Sequence, residues 1–394
     1  RQQMTSLQTA FFREKRGVPN APYTSNPNEL GKATQKSLID HAIKQSERWR
    51  TMHQAGFSDQ EIFNEFNRKR EMTVFSYHGP VDTVMTPRDS LLYTKHFLRC
   101  GFMSLDARNG HVKAYVGGPD FTFFQYDMVA TGRRQIGSTI KPFLYTYAME
   151  EGFTPCDQML NAQPVIKDES GRTWMPRNSG SARIGEMVDL RWALTYSNNW
   201  ISARLMEQLS PATLVRNMHN FGITNHIDPV ISISLGAAEV SVREMVGAYS
   251  AYANNGMRSE PLYVTSICDA NGNVISEFSA SHTEVISEKA YAKILSMLMN
   301  VVEAGTGSRL RRAPYSITAE MGGKTGTTNS NSDAWFMGFS PELVAGAWVG
   351  GEERFIHFAS TAQGQGSAAA LPIVGNFLKK VFADRSLPYS QDAK

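Results

Sequence analysis

The chain has 394 residues and a formal net charge of +3, with 41% hydrophobic and 20% charged residues. That balance excludes disordered and collagen-like classes. The small charge, without a basic cluster interleaved with aromatics, argues against nucleic acid as a partner. The length allows two or three domains.

No apolar run reaches the roughly 18 residues a membrane-spanning helix needs. The opening Arg1-Gln2-Gln3-Met4-Thr5 is too polar for a signal peptide, so the chain reads as a piece of a longer protein. Cys100, Cys156 and Cys268 are odd in number and widely spaced. They suit neither a disulfide framework nor a metal site and are expected to be small buried residues.

Residues 1–75 are expected to be polar and helical. Apolar positions from Leu30 to Met52 recur at near-helical spacing over 28–54, and Gly56 ends that helix. Residues 18–23, with two prolines, form a loop. Ser58-Asp59-Gln60-Glu61 is a capping box ahead of Ile62 and Phe63. No catalytic constellation lies here, and charges such as Arg68-Lys69-Arg70-Glu71 read as a solvated face.

From Met72 the pattern turns to β. Residues 72–77 alternate like a strand, and 101–106 with 111–116 flank Ala107-Arg108-Asn109-Gly110 as a hairpin. The aromatic stretch Phe121, Phe123, Phe124 and Tyr126 is read as core or lid packing before a groove lining. Arg133 and Arg134 then position the approach to Gly137-Ser138-Thr139-Ile140-Lys141.

If Ser138 opens a helix, the i,i+3 spacing puts its hydroxyl and the Lys141 amine on one face. A serine hydroxyl becomes a nucleophile only when a base takes its proton. Lysine serves as that base only if burial or a second cation lowers its pKa from about 10.4. The apolar residues 143–149 suit a core helix that stops near Gly152. Residues 153–185, rich in proline, glycine and polar side chains, read as an irregular passage over the surface.

A helix over 188–194 ends near Tyr196. Ser197-Asn198-Asn199 then begins another, where Ser and Asn are also ordinary caps. Residues 242–253 form a buried helix stopped by Asn254-Asn255-Gly256, and 287–302 form the next. Lys324-Thr325-Gly326-Thr327-Thr328 follows Gly322-Gly323, where small residues permit close approach. Residues 333–339 and 343–349 make a hairpin. A glycine-rich loop at 364–367 precedes a last helix over 368–382.

Three motifs therefore stand in order: Ser138-x-x-Lys141, Ser197-Asn198-Asn199 and Lys324-Thr325-Gly326. A lone Ser-x-x-Lys arises by chance in a chain this long, but the ordered triple is specific. It is the signature shared by penicillin-binding proteins and class A β-lactamases, with Asn198 replacing the aspartate of the usual middle motif. Over roughly residues 76–385 the chain resembles the transpeptidase domain of a bifunctional, class A penicillin-binding protein.

The resemblance implies an α+β fold. A mostly antiparallel five-stranded sheet flanked by helices is joined to an all-helical lobe, with the active site between them. It implies a helical linker or pedestal over 1–75 and the penicillin-binding transpeptidase domain over 76–394. It also implies a membrane anchor and a glycosyltransferase domain in the full-length protein, at the outer face of the cytoplasmic membrane. Carried over by position, Ser138 is the acylated nucleophile and Lys141 the general base. Ser197, Asn199 and Lys324 complete the catalytic set, and Thr325, Gly326 and Thr327 bind substrate. The N–H groups of Ser138 and Thr327 form the oxyanion hole. The implied substrate is a peptidoglycan stem peptide ending in D-Ala-D-Ala, with an amine as acceptor. β-Lactams are the implied inhibitors, and neither a cofactor nor a metal is expected.

The rival readings are a D,D-carboxypeptidase, a β-lactam sensor and a β-lactamase. A class A β-lactamase needs a deacylating Glu-x-x-Leu-Asn after the middle motif. The segment 200–226 holds only Glu207, in Glu207-Gln208-Leu209-Ser210. Asn199 also departs from the Ser-x-Val of class D enzymes.

Overall fold

The computed structural model describes residues 1–18, 21–167, 171 and 173–393. At its centre lies a five-stranded antiparallel sheet. Its strands in chain order are β1 (Arg99–Asp106), β2 (Val112–Val116), β3 (Gly322–Thr327), β4 (Asp333–Phe339) and β5 (Leu343–Gly350). Their spatial order is β3-β4-β5-β1-β2, which leaves the Lys324-Thr325-Gly326 strand on one edge. Trp335 faces Trp348 across β4 and β5, and Lys324 faces Met337 across β3 and β4.

Side-chain alternation with period two splits the apolar residues between two cores. Met103, Leu105, Trp335, Met337 and Trp348 enter one cluster with the helices behind the cleft. Phe102, Ala334, Phe336, Ala347 and Val349 enter the other. Because both faces are covered, β1, β4 and β5 are buried along their whole length and read as near-continuous apolar runs.

The first core contains α1 (Lys141–Glu150), α2 (Asn199–Glu207), α3 (Val242–Ala253) and α4 (Glu288–Glu303). Helix α1 is buried on nearly every side, which explains its lack of an amphipathic period. The second core contains α5 (Leu371–Ala383) and the N-terminal residues Met4, Leu7, Phe11, Ile43 and Trp49. The residues expected to form the linker or pedestal share an apolar cluster with the back of the sheet.

Several elements differ from the sequence reading. The expected helix over 28–54 is two, Lys32–Gln45 and Glu47–Gln54, because Ser46 turns extended and caps the second through Trp49 N. The capping box at Ser58 and Glu61 forms as expected. The strand expected over 72–77 is Arg70–Val74, paired with Val81–Met85 in its own hairpin. The helix expected from 188 starts at Leu190, since Met187–Asp189 pairs with Gln158–Leu160 and Asp189 caps the helix.

The glycine-rich stretch 364–367 is not a loop but two short helical turns, Thr361–Gly364 and Gly366–Ala369. Gly366 packs against the backbone of Trp335 and Gly326, with no room for a side chain. The last helix starts at Leu371, three residues later than expected, because those turns occupy its N-terminal end. Cys100 is buried, whereas Cys156 and Cys268 are exposed, against the expectation for all three. Phe124 packs with Phe75 and Phe97, while Phe121 and Tyr126 are exposed. Of the loop 18–23 and the passage 153–185, residues 19, 20, 168–170 and 172 lie outside the described residues.

Candidate active site

The segment ahead of Ser138 is fastened to the sheet before it turns. Gln135 O accepts from the Trp335 indole at 2.8 Å, and Arg134 Nε donates to Asp333 Oδ1 at 2.7 Å. Residues Gly137–Ile140 form a 3₁₀ turn, and the α-helix begins only at Lys141, whose N–H donates to Ser138 O. Gly137 has φ +50°, and a Cβ there would lie 2.8 Å from Thr327 O. Glycine is therefore required both for the backbone conformation and for the approach of the turn to β3. The turn brings Ser138, half-buried, onto the wall of a cleft of about 500 Å³.

Lys141 and Lys324 are both fully buried. Lys141 Nζ donates to Ser197 O at 2.6 Å and Asn199 Oδ1 at 2.7 Å, and lies 3.2 Å from Ser197 Oγ. Lys324 Nζ donates to Ser197 Oγ at 2.8 Å and Thr325 O at 3.1 Å. All these partners are neutral. Burial pulls the Lys141 amine well below the usual lysine range, and the like charge of Lys324 lowers it further. Burial also lowers Lys324, to about 7. The Ser197 hydroxyl thus lies between two amines that both give up a proton more readily than an ordinary lysine. No hydrogen bond joins Ser138 Oγ to Lys141 in this state. Such contacts often close only around substrate.

The middle motif divides its work. Asn198 is the helix cap: its Oδ1 accepts from Ile201 N at 2.9 Å, and its Nδ2 donates to buried Asn161 at 2.8 Å. Ser197 has φ +58°, a left-handed conformation uncommon outside glycine. It presents both its carbonyl and its hydroxyl to Lys141. Asn199 Nδ2 donates to Arg177 O at 2.8 Å, which orients Oδ1 towards Lys141. The ordinary capping role and the site role therefore coexist, on adjacent residues.

Of the edge-strand residues, Thr327 lines the cleft, and its Oγ1 accepts from Gly366 N at 3.1 Å. Thr325 Oγ1 donates to Thr306 Oγ1 at 2.7 Å. A Cβ on Gly326 would lie 2.8 Å from Ile136 O, so glycine lets the strand lie against the nucleophile turn. Ser138, Asn199 and Thr327 thus line one cleft, and Lys141, Ser197 and Lys324 form a hydrogen-bonded set with Asn199 behind its wall. The structure also gives the expected role of the arginines: Arg134 is tied to Asp333, and Arg133 lies 3.3 Å from Glu244.

Sequence reasoning did not single out the strap that closes one side. Trp174, Met175, Pro176 and Arg177 line the cleft. Pro176 O accepts from Trp200 Nε1 at 2.9 Å, and Asn178 Oδ1 accepts from Asn199 N at 3.0 Å. Thr306 and Asn161 were missed as well. None has a local signature, because each acts by docking against a residue far away in sequence. Trp200, directly after the middle motif, was the one available hint, since a buried indole N–H needs a partner.

The comparisons with known proteins follow this geometry. Residues 100–350 match the model of the penicillin binding protein transpeptidase domain, and residues 19–98 match that of the penicillin-binding protein middle domain. Penicillin-binding protein 2D of Bacillus subtilis is 34% identical over 258 residues, covering 64% of this chain and 37% of the relative. Penicillin-binding protein 1A of Aquifex aeolicus is 33% identical over 285 residues, covering 72% and 38%. The chain thus spans under two-fifths of the length of these relatives. Among solved structures, penicillin-binding protein 1A from Haemophilus influenzae aligns with a TM-score of 0.68 at 21% identity, covering 99% of this chain and 71% of that one. The structure of PonA1 from Mycobacterium tuberculosis in complex with penicillin V aligns with a TM-score of 0.61 at 20% identity, covering 91% and 96%. With well over half of its length inside the transpeptidase model and class A proteins among its relatives, the chain belongs to the penicillin-binding protein transpeptidase family.

Proposed function

We propose that the chain is the D,D-transpeptidase part of an envelope enzyme that cross-links peptidoglycan stem peptides through an acyl-serine. In this reading Ser138 Oγ attacks the carbonyl between the two terminal D-alanines as neutral Lys141 takes its proton. The N–H groups of Ser138 and Thr327 stabilise the oxyanion. The proton reaches the leaving D-alanine through Ser197, which contacts both lysines. Asn199 orients Lys141, and Lys324 with Thr325 and Thr327 holds the terminal carboxylate along Gly326. An acceptor amine then displaces Ser138. The full-length protein is proposed to be anchored in the cytoplasmic membrane, facing the cell wall, and to be inhibited by β-lactams.

One observation carries this reading: two buried lysines share a serine hydroxyl without a carboxylate partner. A lysine in that state is a base near neutral pH. A second feature argues against the β-lactamase reading. Among the described residues lining the cleft, none is Asp or Glu, so no carboxylate activates water as a deacylating glutamate would. The test is intact-mass spectrometry of the folded protein after incubation with a penicillin, followed by peptide mapping. A stoichiometric adduct on Ser138, lasting minutes to hours, is expected. Label on a different serine, no label, or turnover within seconds would overturn the assignment.

A further inference from the structure

Between α3 and α4 the chain projects a hairpin. Its strands, Ser266–Cys268 and Val274–Glu277, pair with each other and with no third strand among the described residues. Asp269 Oδ1 accepts from the N–H groups of Asn271 and Asn273, which fixes the turn between them. No backbone hydrogen bond joins either outer edge to another element among the described residues. Every residue of the two strands is exposed, and Tyr263, Val264, Ile267, Val274, Ile275 and Phe278 are 46–67% exposed. A two-stranded hairpin with nothing packed on it is marginal in water. Open edges rich in β-branched and aromatic residues are the form in which a sheet takes up another strand. The segment is also acidic. Residues 259–285 hold Glu260, Asp269, Glu277 and Glu284 and no Lys or Arg, in a chain of net charge +3. Glu277 and Glu284 form no ion pair among the described residues.

We infer that this hairpin is a docking site for a partner protein, which adds an extended segment of alternating apolar and basic residues to one of its edges. The inference goes beyond the transpeptidase reading and does not depend on it. Main-chain hydrogen bonds to the open edge supply affinity, and the segment's apolar side chains cover those of the hairpin. Its Lys or Arg side chains meet the acidic ones. Charge selects among occupants. A second copy would set two acidic edges side by side, which is unfavourable. An anionic lipid surface is repelled for the same reason. The site is also remote from the chemistry. Leu262 N donates to Gly110 O and Val112 N to Leu262 O, so the hairpin is rooted at the turn between β1 and β2. That turn follows Asp106, which faces Leu343 at the start of β5. Thr327, beside the nucleophile, faces Ala334, which in turn faces Val349 near the end of β5. The docking edge and the cleft therefore lie at opposite ends of the sheet, and a partner held there leaves Ser138 uncovered.

The experiment uses the full chain and short labelled peptides of three kinds. One alternates valine and lysine, and one alternates valine and glutamate. The third is the lysine peptide with a central proline, which breaks pairing along an edge. Fluorescence anisotropy measures binding, and amide hydrogen exchange locates it. The valine–lysine peptide is expected to bind at least about tenfold more tightly than the other two. Its affinity should fall with added salt, and exchange should slow over residues 263–278 and not around the cleft. Glu277→Lys and Ile275→Ser should each weaken it about fivefold. Both side chains are exposed, so folding is expected to be intact, with penicillin acylation within about twofold of the parent. Equal binding of the three peptides, or protection confined to another part of the chain, overturns the inference. Self-association of the parent that Ile275→Ser abolishes would give the hairpin to a second copy instead. Binding to phosphatidylglycerol vesicles that the same variant abolishes would give it to a membrane, and either result overturns the inference as well.

Discussion

Two buried clusters of cations in this molecule are built on opposite principles. Lys141 and Lys324, buried behind the cleft wall, bond only to neutral oxygens of Ser197, Asn199 and Thr325. Lys95 and Arg99, at the far end of β1, are also buried, but Glu352 and Glu353 lie 2.5–2.7 Å away. Burial pulls both kinds of lysine down. At Lys95 the two glutamates outweigh it, so its amine lies above the usual range, whereas Lys141 and Lys324 lie below it. Burial alone therefore does not distinguish a catalytic lysine from a structural one. The absence of a carboxylate makes the amine a base.

The sharpest break of this comparison is Lys141→Ala. It removes the base but no ion pair, so the fold should persist while acylation by penicillin slows about 10²- to 10⁴-fold. Intact-mass kinetics at several penicillin concentrations measures it. Wild-type rates would hand the role of base to another group.

Lys95→Met does the reverse. It should leave acylation per folded molecule unchanged but strand two carboxylates, one of them poorly solvated. Breaking a buried pair costs about 3–5 kcal/mol, and the half-exposed Glu352 argues for about 3. Denaturant unfolding of the two variants side by side tests this. A larger stability loss in Lys141→Ala than in Lys95→Met would erase the distinction. The pH dependence of stability carries the same contrast. Lys141 has a lowered value in the fold, so the cost of holding it there falls as pH rises from the folded value towards about 10.4. Lys95 has a raised value, so its stabilisation is complete below about 10.4 and is lost as pH climbs through the folded value.

Part of this contrast was legible in the sequence and part was not. The three motifs carry Ser138, Lys141, Ser197, Asn199 and Lys324, and their order alone implied two lysines in one cleft. The short, near-continuous apolar runs of β1, β4 and β5, bounded by turn residues, made the sheet legible, since strands covered on both faces lose polar alternation. Asn198 was ambiguous because a cap and a site residue obey the same local rule. The strap at Trp174–Arg177 and the brace of Asp333 on Arg134 were invisible, since each joins residues separated by twenty to two hundred positions. Local pattern also misread 364–367, where glycine serves close packing against β3 rather than a flexible turn.

A subtler test concerns how the two lysines of the cleft act on each other. The charge of Lys324 is the second cause, after burial, of the low Lys141 value. Lys324→Met removes a like charge, so Lys141 should hold its proton more tightly. The acidic limb of the acylation rate should then move to higher pH, apart from any overall loss of carboxylate binding. A limb that stays in place, or moves to lower pH, means that burial alone sets Lys141.

The smallest expected effect lies where the N-terminal region meets the cleft. Glu29 Oε1 accepts from Ser330 Oγ at 2.8 Å, and its Oε2 lies 3.0 Å from His357 Nε2. Burial raises the Glu29 carboxyl, but the Ser330 bond and the His357 pair outweigh it and hold it below the usual range. Its contribution is therefore present above about pH 4.3 and lost as pH falls through the folded value. Ser330 and Asn331 have φ of +57° and +59°, and Asn329 and Ser330 line the cleft. Two consecutive non-glycine residues in the left-handed region persist only when their surroundings hold them there. Glu29 supplies one such restraint from outside the sheet, so residues expected to carry no chemistry brace a wall of the site. Glu29→Ala should cost about 1 kcal/mol of stability, the usual net worth of such a bond. It should also slow acylation by no more than about fivefold, far less than Lys141→Ala, as the loop samples other conformations. Paired unfolding and acylation measurements decide the matter. A stability loss with unchanged acylation would make Glu29 a fastening of the N-terminal region alone, and no change in either would remove the brace.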